Sequence, residues 1–151
     1  TAMERKKELL QFCWDYVDQR TARLQRSGAS LQESLDSETK SSAGDKHETG
    51  RAMVQLEQEK LAQQLQELNR TKAVLQKIDI GKKSDKIRLG SLVATSLAHY
   101  FIAISAGVCK QDGSLIYCIS SGSPIAQLLL GKEVGDTFVF NGASHSVLEV
   151  V

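Results

Sequence analysis

The hydrophobic positions of this chain follow two different periods, and the change between them falls near residue 80. Upstream, Leu10, Val17, Leu24 and Leu31 recur every seven residues, with Cys13 or Trp14 and Leu35 on the interleaved positions. That spacing is the seam of a coiled coil. Val54, Leu61, Leu68 and Leu75 repeat it, with Leu65 and Ile78 on intermediate positions. If the two arms lie antiparallel, facing residues share a constant index sum, and Leu10 with Ile78, Cys13 with Leu75 and Leu35 with Met53 each give 88. The fold-back then falls at residue 44, where Lys40-Ser41-Ser42-Ala43-Gly44 supplies small, turn-tolerant residues. Arms of about 34 residues, rising about 1.5 Å per residue, reach roughly 50 Å. Two helices alone bury little core, so their base is expected to rest on the second half.

Beyond Ile80 the pattern turns to short extended runs: Gly90 to Ala94, Tyr100 to Ala106, Leu115 to Ser120, Thr137 to Phe140 and Ser146 to Val150. Gln111-Asp112-Gly113 is a hairpin signal. Folding there places Cys118 opposite Gly107 and Cys109 opposite Ile116, so those two thiols do not face each other. Pro124, the only proline, opens a short helix over Ile125 to Leu130, and Gly131 stops it. The expected fold class is α+β: a helical hairpin over 3–79 with its tip near 40–48, then an antiparallel sheet with one short helix over 85–151.

Composition narrows the function classes. A formal net charge of +1 offers no global case for binding duplex nucleic acid, so any such contact is local. Three cysteines, Cys13, Cys109 and Cys118, without a CxxC pair suggest neither a disulfide framework nor a zinc site. No apolar run approaches the roughly 20 residues that span a bilayer. The expectation is a cytoplasmic monomer with reduced thiols and no membrane contact.

Asp45 and Glu48 mark the tip and read in two ways. They suit a capping box at the start of the second helix, where carboxylates answer free N–H groups. Equally, acids three residues apart lie on one helix face and suit a hard divalent cation whose other oxygen ligands come from another molecule. Arg20, Arg23 and Arg26 repeat every third residue on the first arm. They suit phosphate contacts, or a solvated face interleaved with Asp15, Asp18 and Gln19. His47, lone between the acids, favours neither metal binding nor acid catalysis. Gly131-Lys132 fails as a phosphate loop, because Ala126 replaces the required glycine and Glu133 replaces Ser or Thr. Gly131 and Gly135 read instead as backbone devices bracketing a turn. Ser105, Ser120 and Ser144 lack a nucleophile-elbow context.

Gly44-Asp45-Lys46-His47-Glu48, followed by the second heptad arm, resembles the tip of the bacterial Gre (GreA/GreB-type) transcript-cleavage factors. The far half agrees independently. Gly90-Ser91-Leu92-Val93, then Ser123-Pro124-Ile125 through Leu130-Gly131-Lys132-Glu133-Val134-Gly135-Asp136, is similar to the FKBP-like C-terminal module of that family. The resemblance implies an accessory factor, not an enzyme, whose module docks on bacterial RNA polymerase through Ser123, Pro124, Gly131, Lys132, Gly135 and Asp136. The hairpin would enter the secondary channel. It further implies that Asp45 and Glu48 position a Mg²⁺ shared with the polymerase, none being stably bound by the chain, so that the polymerase cleaves a backtracked transcript. Arg20, Arg23 and Arg26 would contact the 3′ end of the nascent RNA. Gre tips usually continue Glu-Asn-Ala-Glu-Tyr, whereas here Thr49-Gly50-Arg51-Ala52 follows Glu48. The family also contains members that inhibit or pause polymerase without cleavage, which is the alternative. Prolyl isomerisation needs a concave aromatic pocket, and Tyr100, Phe101, Tyr117, Phe138 and Phe140 come with no tryptophan in this half.

Overall fold

A computed structural model describes the backbone of residues 1–40 and 44–151 and the side chains of residues 1–37 and 49–151. Two long helices come first, α1 (Ala2–Lys40) and α2 (Gly44–Gln76). Residues 41–43 of the expected turn lie outside the described residues. Six strands and one short helix follow: β1 (Leu92–Thr95), β2 (His99–Ala103), β3 (Gly107–Gln111), β4 (Ser114–Ser120), α3 (Pro124–Leu129), β5 (Thr137–Phe140) and β6 (Ala143–Val150).

The heptad pattern translates into burial. On α1, Val17 is buried and Thr21, Leu24, Gly28, Leu31 and Leu35 are half-buried, while the residues between Leu24 and Gly28 are exposed. On α2 the half-buried line runs through Val54, Gln58, Leu61, Leu65 and Leu68. Gln58 Nε2 donates to Gln32 Oε1 at 3.3 Å, which sets the arms antiparallel with an index sum of 90 at that point. The expected pairing of Leu35 with Met53 fails: Met53 is 64% exposed, and Val54 takes the inner position. The reason is helical. A straight α-helix drifts about 20° per heptad against a strict seven-residue repeat, so a register drawn from the base slips toward the tip.

The chain divides into two compact units, one made of Thr1–Tyr16 with Lys72–Val151 and the other of Val17–Thr71. The change of period near residue 80 and this division mark different things. Periodicity records where helix gives way to strand. The first unit also takes in the base of both helices, because Leu9, Cys13 and Leu75 are fully buried in it.

The six-stranded sheet has the order β3-β4-β2-β1-β6-β5. Four pairings are antiparallel and β2–β4 is parallel, so the sheet is mixed where alternation alone suggests an antiparallel one. Two local facts produce this. After β2 the chain turns at Gly107, whose φ of +90° suits glycine. The tight turn with Asp112 at φ 47° and Gly113 at φ 82° then sends β4 back antiparallel to β3. β4 thus enters between β3 and β2, aligned with β2. The hairpin register is the expected one, with Gly107 opposite Cys118 and Cys109 opposite Ile116.

Thr137–Phe140 is a strand as expected, but β6 begins at Ala143, three residues before Ser146. The missed signal was Asn141-Gly142, a two-residue turn with φ of 52° and 79°. One face of the sheet holds the cluster Ile87, Val93, Tyr100, Ile102, Ala126, Leu129, Phe138 and Val147, which includes the inner side of α3. By pleat alternation the opposite face carries Leu92, Phe101, Ile116 and Cys118, all buried. The first turns of α1 cover this face. Gln111 Nε2 donates to the Arg5 carbonyl at 3.1 Å and to Glu8 Oε2 at 3.0 Å.

Candidate functional site

Three groups of residues carry the candidate chemistry, and the first is the hairpin tip. α2 opens at Gly44, so the backbone of Asp45 and Glu48 belongs to its first two turns. The side chains of both acids, and of Lys46 and His47, lie outside the described residues. Beyond them Thr49 and Arg51 are exposed and Gly50 is half-buried. Among the described residues no group of three or more His, Cys, Asp or Glu is placed to hold a metal ion.

The second group is the basic stripe. Arg20, Arg23 and Arg26 are all exposed on α1 and lie off the seam line through Val17, Leu24 and Leu31. Positions three apart on a helix are neighbours, so the three residues follow one another along one flank of α1.

The third group is the α3–β5 segment, and here each matched residue has a task in the fold. Ser123 caps α3: its Oγ accepts from the Ala126 N–H at 3.3 Å and donates to the Ser120 carbonyl at 2.9 Å. Pro124 follows at the first helical position, where its missing N–H leaves no bond unmade. Gly131, at φ 84°, donates its N–H to the Ile87 carbonyl at 2.8 Å, and the Ile87 N–H returns a 2.8 Å bond to the Lys132 carbonyl. Gly135, at φ 93°, donates to the Val147 carbonyl at 2.9 Å. Asp136 Oδ2 accepts from the Glu133 N–H at 2.9 Å, closing the intervening turn. The two glycines are therefore the backbone devices that the sequence suggests. Toward solvent this segment presents, among others, Pro124, Glu133, Val134 at 59% exposure and Asp136, with Lys132 half-buried.

These groups come from different parts of the fold. Arg20, Arg23, Arg26, Asp45 and Glu48 belong to the Val17–Thr71 unit, and Ser123 to Asp136 belong to the other. Sequence reasoning missed Lys6 and Gln111, the polar residues that set α1 on the sheet. Lys6 Nζ donates to the Val151 carbonyl at 3.1 Å. Their partners stand more than a hundred positions away, and no local pattern marks them.

No protein-family model matches the chain, and no curated protein matches it. Solved structures do. The GreA factor homolog 1 (Gfh1) protein of Thermus thermophilus is 19% identical, with 99% of this chain and 94% of that chain covered, at a TM-score of 0.34. A structure of the transcription factor Gfh1 is 20% identical, with 99% and 92% covered, again at 0.34. At these TM-scores the likeness carries no inference about this chain.

Proposed function

We propose that this chain is a Gre-type accessory factor of bacterial RNA polymerase that enters the secondary channel and stimulates cleavage of backtracked transcripts through Asp45 and Glu48. The carrying observation is a sequence one: paired acids at the fold-back of two heptad helices, in a chain whose second half independently resembles the Gre module. The antiparallel arms and the capped, glycine-bracketed α3–β5 segment are compatible with it.

The donor chemistry fits a hard cation. Two carboxylates three residues apart on a helix supply oxygen ligands from one face, too few to hold Mg²⁺ alone, so the polymerase and RNA would complete the set. When bound there, Mg²⁺ supplies charge stabilisation for a phosphate and an activated water. The chain's own part is positional: Asp45 and Glu48 present negative charge at the start of the second helical arm, and Arg20, Arg23 and Arg26 bind RNA phosphates along the first. The polymerase remains the catalyst.

Arg51 and Ala52, at the positions of the family's later acid and tyrosine, favour a second reading in which the factor occupies the channel and slows the polymerase without cleavage. One assay separates the two. Added with Mg²⁺ to stalled, backtracked elongation complexes, the wild-type chain is expected to shorten the RNA from its 3′ end. Asp45→Asn with Glu48→Gln should lower that rate by a hundredfold or so, as loss of a transition-state ligand does. Slowed elongation with no shortened RNA would establish the second reading, and undiminished cleavage by the double variant would reduce the acids to helix caps.

A further inference from the structure

Positive charge gathers in the connection between α2 and the sheet. Residues 77–88 hold five cations, Lys77, Lys82, Lys83, Lys86 and Arg88, against two acids, Asp79 and Asp85. This stretch is net +3 in a chain of net +1, so everything else sums to −2. The four lysines are exposed and Arg88 is half-buried. The connection is neither helix nor strand, yet its backbone is pinned along its length. Asp79 Oδ1 accepts from the Gly81 N–H at 3.0 Å, and Ser84 Oγ donates to the Lys86 carbonyl at 2.9 Å. Arg88 Nη2 donates to the Lys82 carbonyl at 3.1 Å, which folds the two ends of the lysine run together. Ile87, 2% exposed, anchors the run in the core, and its 2.8 Å bond to the Lys132 carbonyl brings a sixth cation alongside. Among the described residues none of these six cations is ion-paired with a carboxylate.

We propose that this cluster, centred on Lys82, Lys83, Lys86 and Arg88, docks the phosphate backbone of a nucleic-acid duplex. Like charges held together on a fixed backbone raise a local positive potential, and a polyanion lowers it without first having to order the loop. The residue types choose the polyanion. None of the exposed large hydrophobics falls within residues 77–88, so the cluster lacks the apolar or aromatic anchors at the centre of a protein interface, where lysine is depleted. No aromatic residue occurs in the stretch either, so it offers no platform on which single-stranded bases could stack. What remains is attraction between ammonium point charges and phosphates, which holds a duplex by its backbone and reads no sequence. The cluster belongs to the other unit from the row of Arg20, Arg23 and Arg26, and the proposal does not rest on the polymerase reading.

The experiment is fluorescence anisotropy, with the full chain titrated onto labelled DNA and RNA duplexes of one sequence in the absence of polymerase. Four phosphate contacts give a slope of about −3.6 in log K against log salt, so binding to the DNA duplex should weaken roughly 150-fold between about 50 and 200 mM salt. Lys82→Gln with Lys83→Gln and Lys86→Gln should bring that slope to about −1 and weaken binding at least tenfold at about 50 mM salt. All three side chains are exposed, so this variant should keep the wild-type Tm, and the matching Lys→Arg triple should restore binding. A loss confined to one of the two duplexes supports the site and identifies that duplex as its ligand. A wild type that binds neither duplex at about 50 mM salt, or a glutamine variant that binds as tightly as wild type, would overturn the proposal. So would tighter binding of an oligothymidylate strand, or of polyaspartate at equal charge, than of either duplex.

Discussion

Lys6 places an ammonium group where water scarcely reaches, at 4% exposure, with the Val151 carbonyl as its acceptor. Burial holds it below its ordinary 10.5, Arg88 acts in the same direction, and Asp79 opposes them. Between that lowered value and 10.5 the unfolded chain binds the proton more tightly, so stability rises with pH across this window; below it the penalty stays constant. Lys6→Met is therefore expected to be more stable than wild type at neutral pH, with the gap closing as pH approaches 10.5. Urea unfolding at several pH values measures this, and a gap that widened with pH would contradict it. Gly90 makes the opposite case, a residue already at its optimum. Its φ is +91°, and an added Cβ would meet Ile78 Cγ2 at 3.1 Å. Gly90→Ala should destabilise by about 1–3 kcal/mol in the same unfolding assay.

Among the elements, α1 shows where local propensity is left unused. Gly28 sits on the seam line of a 39-residue helix, yet a Cβ there meets nothing within 4 Å. Gly28→Ala should stabilise the chain by about 0.5–1 kcal/mol, read as a higher denaturation midpoint, because alanine loses less backbone entropy on entering a helix. A drop in stability would mean that the arms approach more closely than the described contacts indicate. The hairpins show the converse, local chemistry used to the full. Asp112-Gly113 fixes the β3–β4 register residue by residue, and Asn141-Gly142 does the same for β5 and β6. Register was legible at the first turn because residues with positive φ define it; at the second the same signal was present and unread.

Taken as a whole, the chain distributes burial unevenly. Among the described residues of the Val17–Thr71 unit only Val17 is a buried hydrophobic, whereas the other unit holds the rest of the core. Amides of residues 49–68 are therefore expected to exchange with deuterium orders of magnitude faster than those of β2 and β4, because local opening there exposes little apolar surface. Hydrogen-exchange mass spectrometry reads this directly, and equal protection would show that the arms carry a core of their own. Rapid opening in the arm is also relevant to the proposed role, since a hairpin held by a narrow seam can adjust to a channel at small cost.

What the sequence determined by itself were the features written in short-range periodicity: two long heptad helices, the strand runs, the Pro124 helix start and the turn glycines. Each depends on φ preferences or on side chains within a turn or two, so the local code suffices. The tertiary structure alone decided the insertion of β4 beside β2, the slip that puts Val54 rather than Met53 inward, and the seating of α1 on the sheet through Gln111 and Lys6. Those depend on which faces bury each other across a hundred residues of chain, and a long-range pairing leaves no period to read.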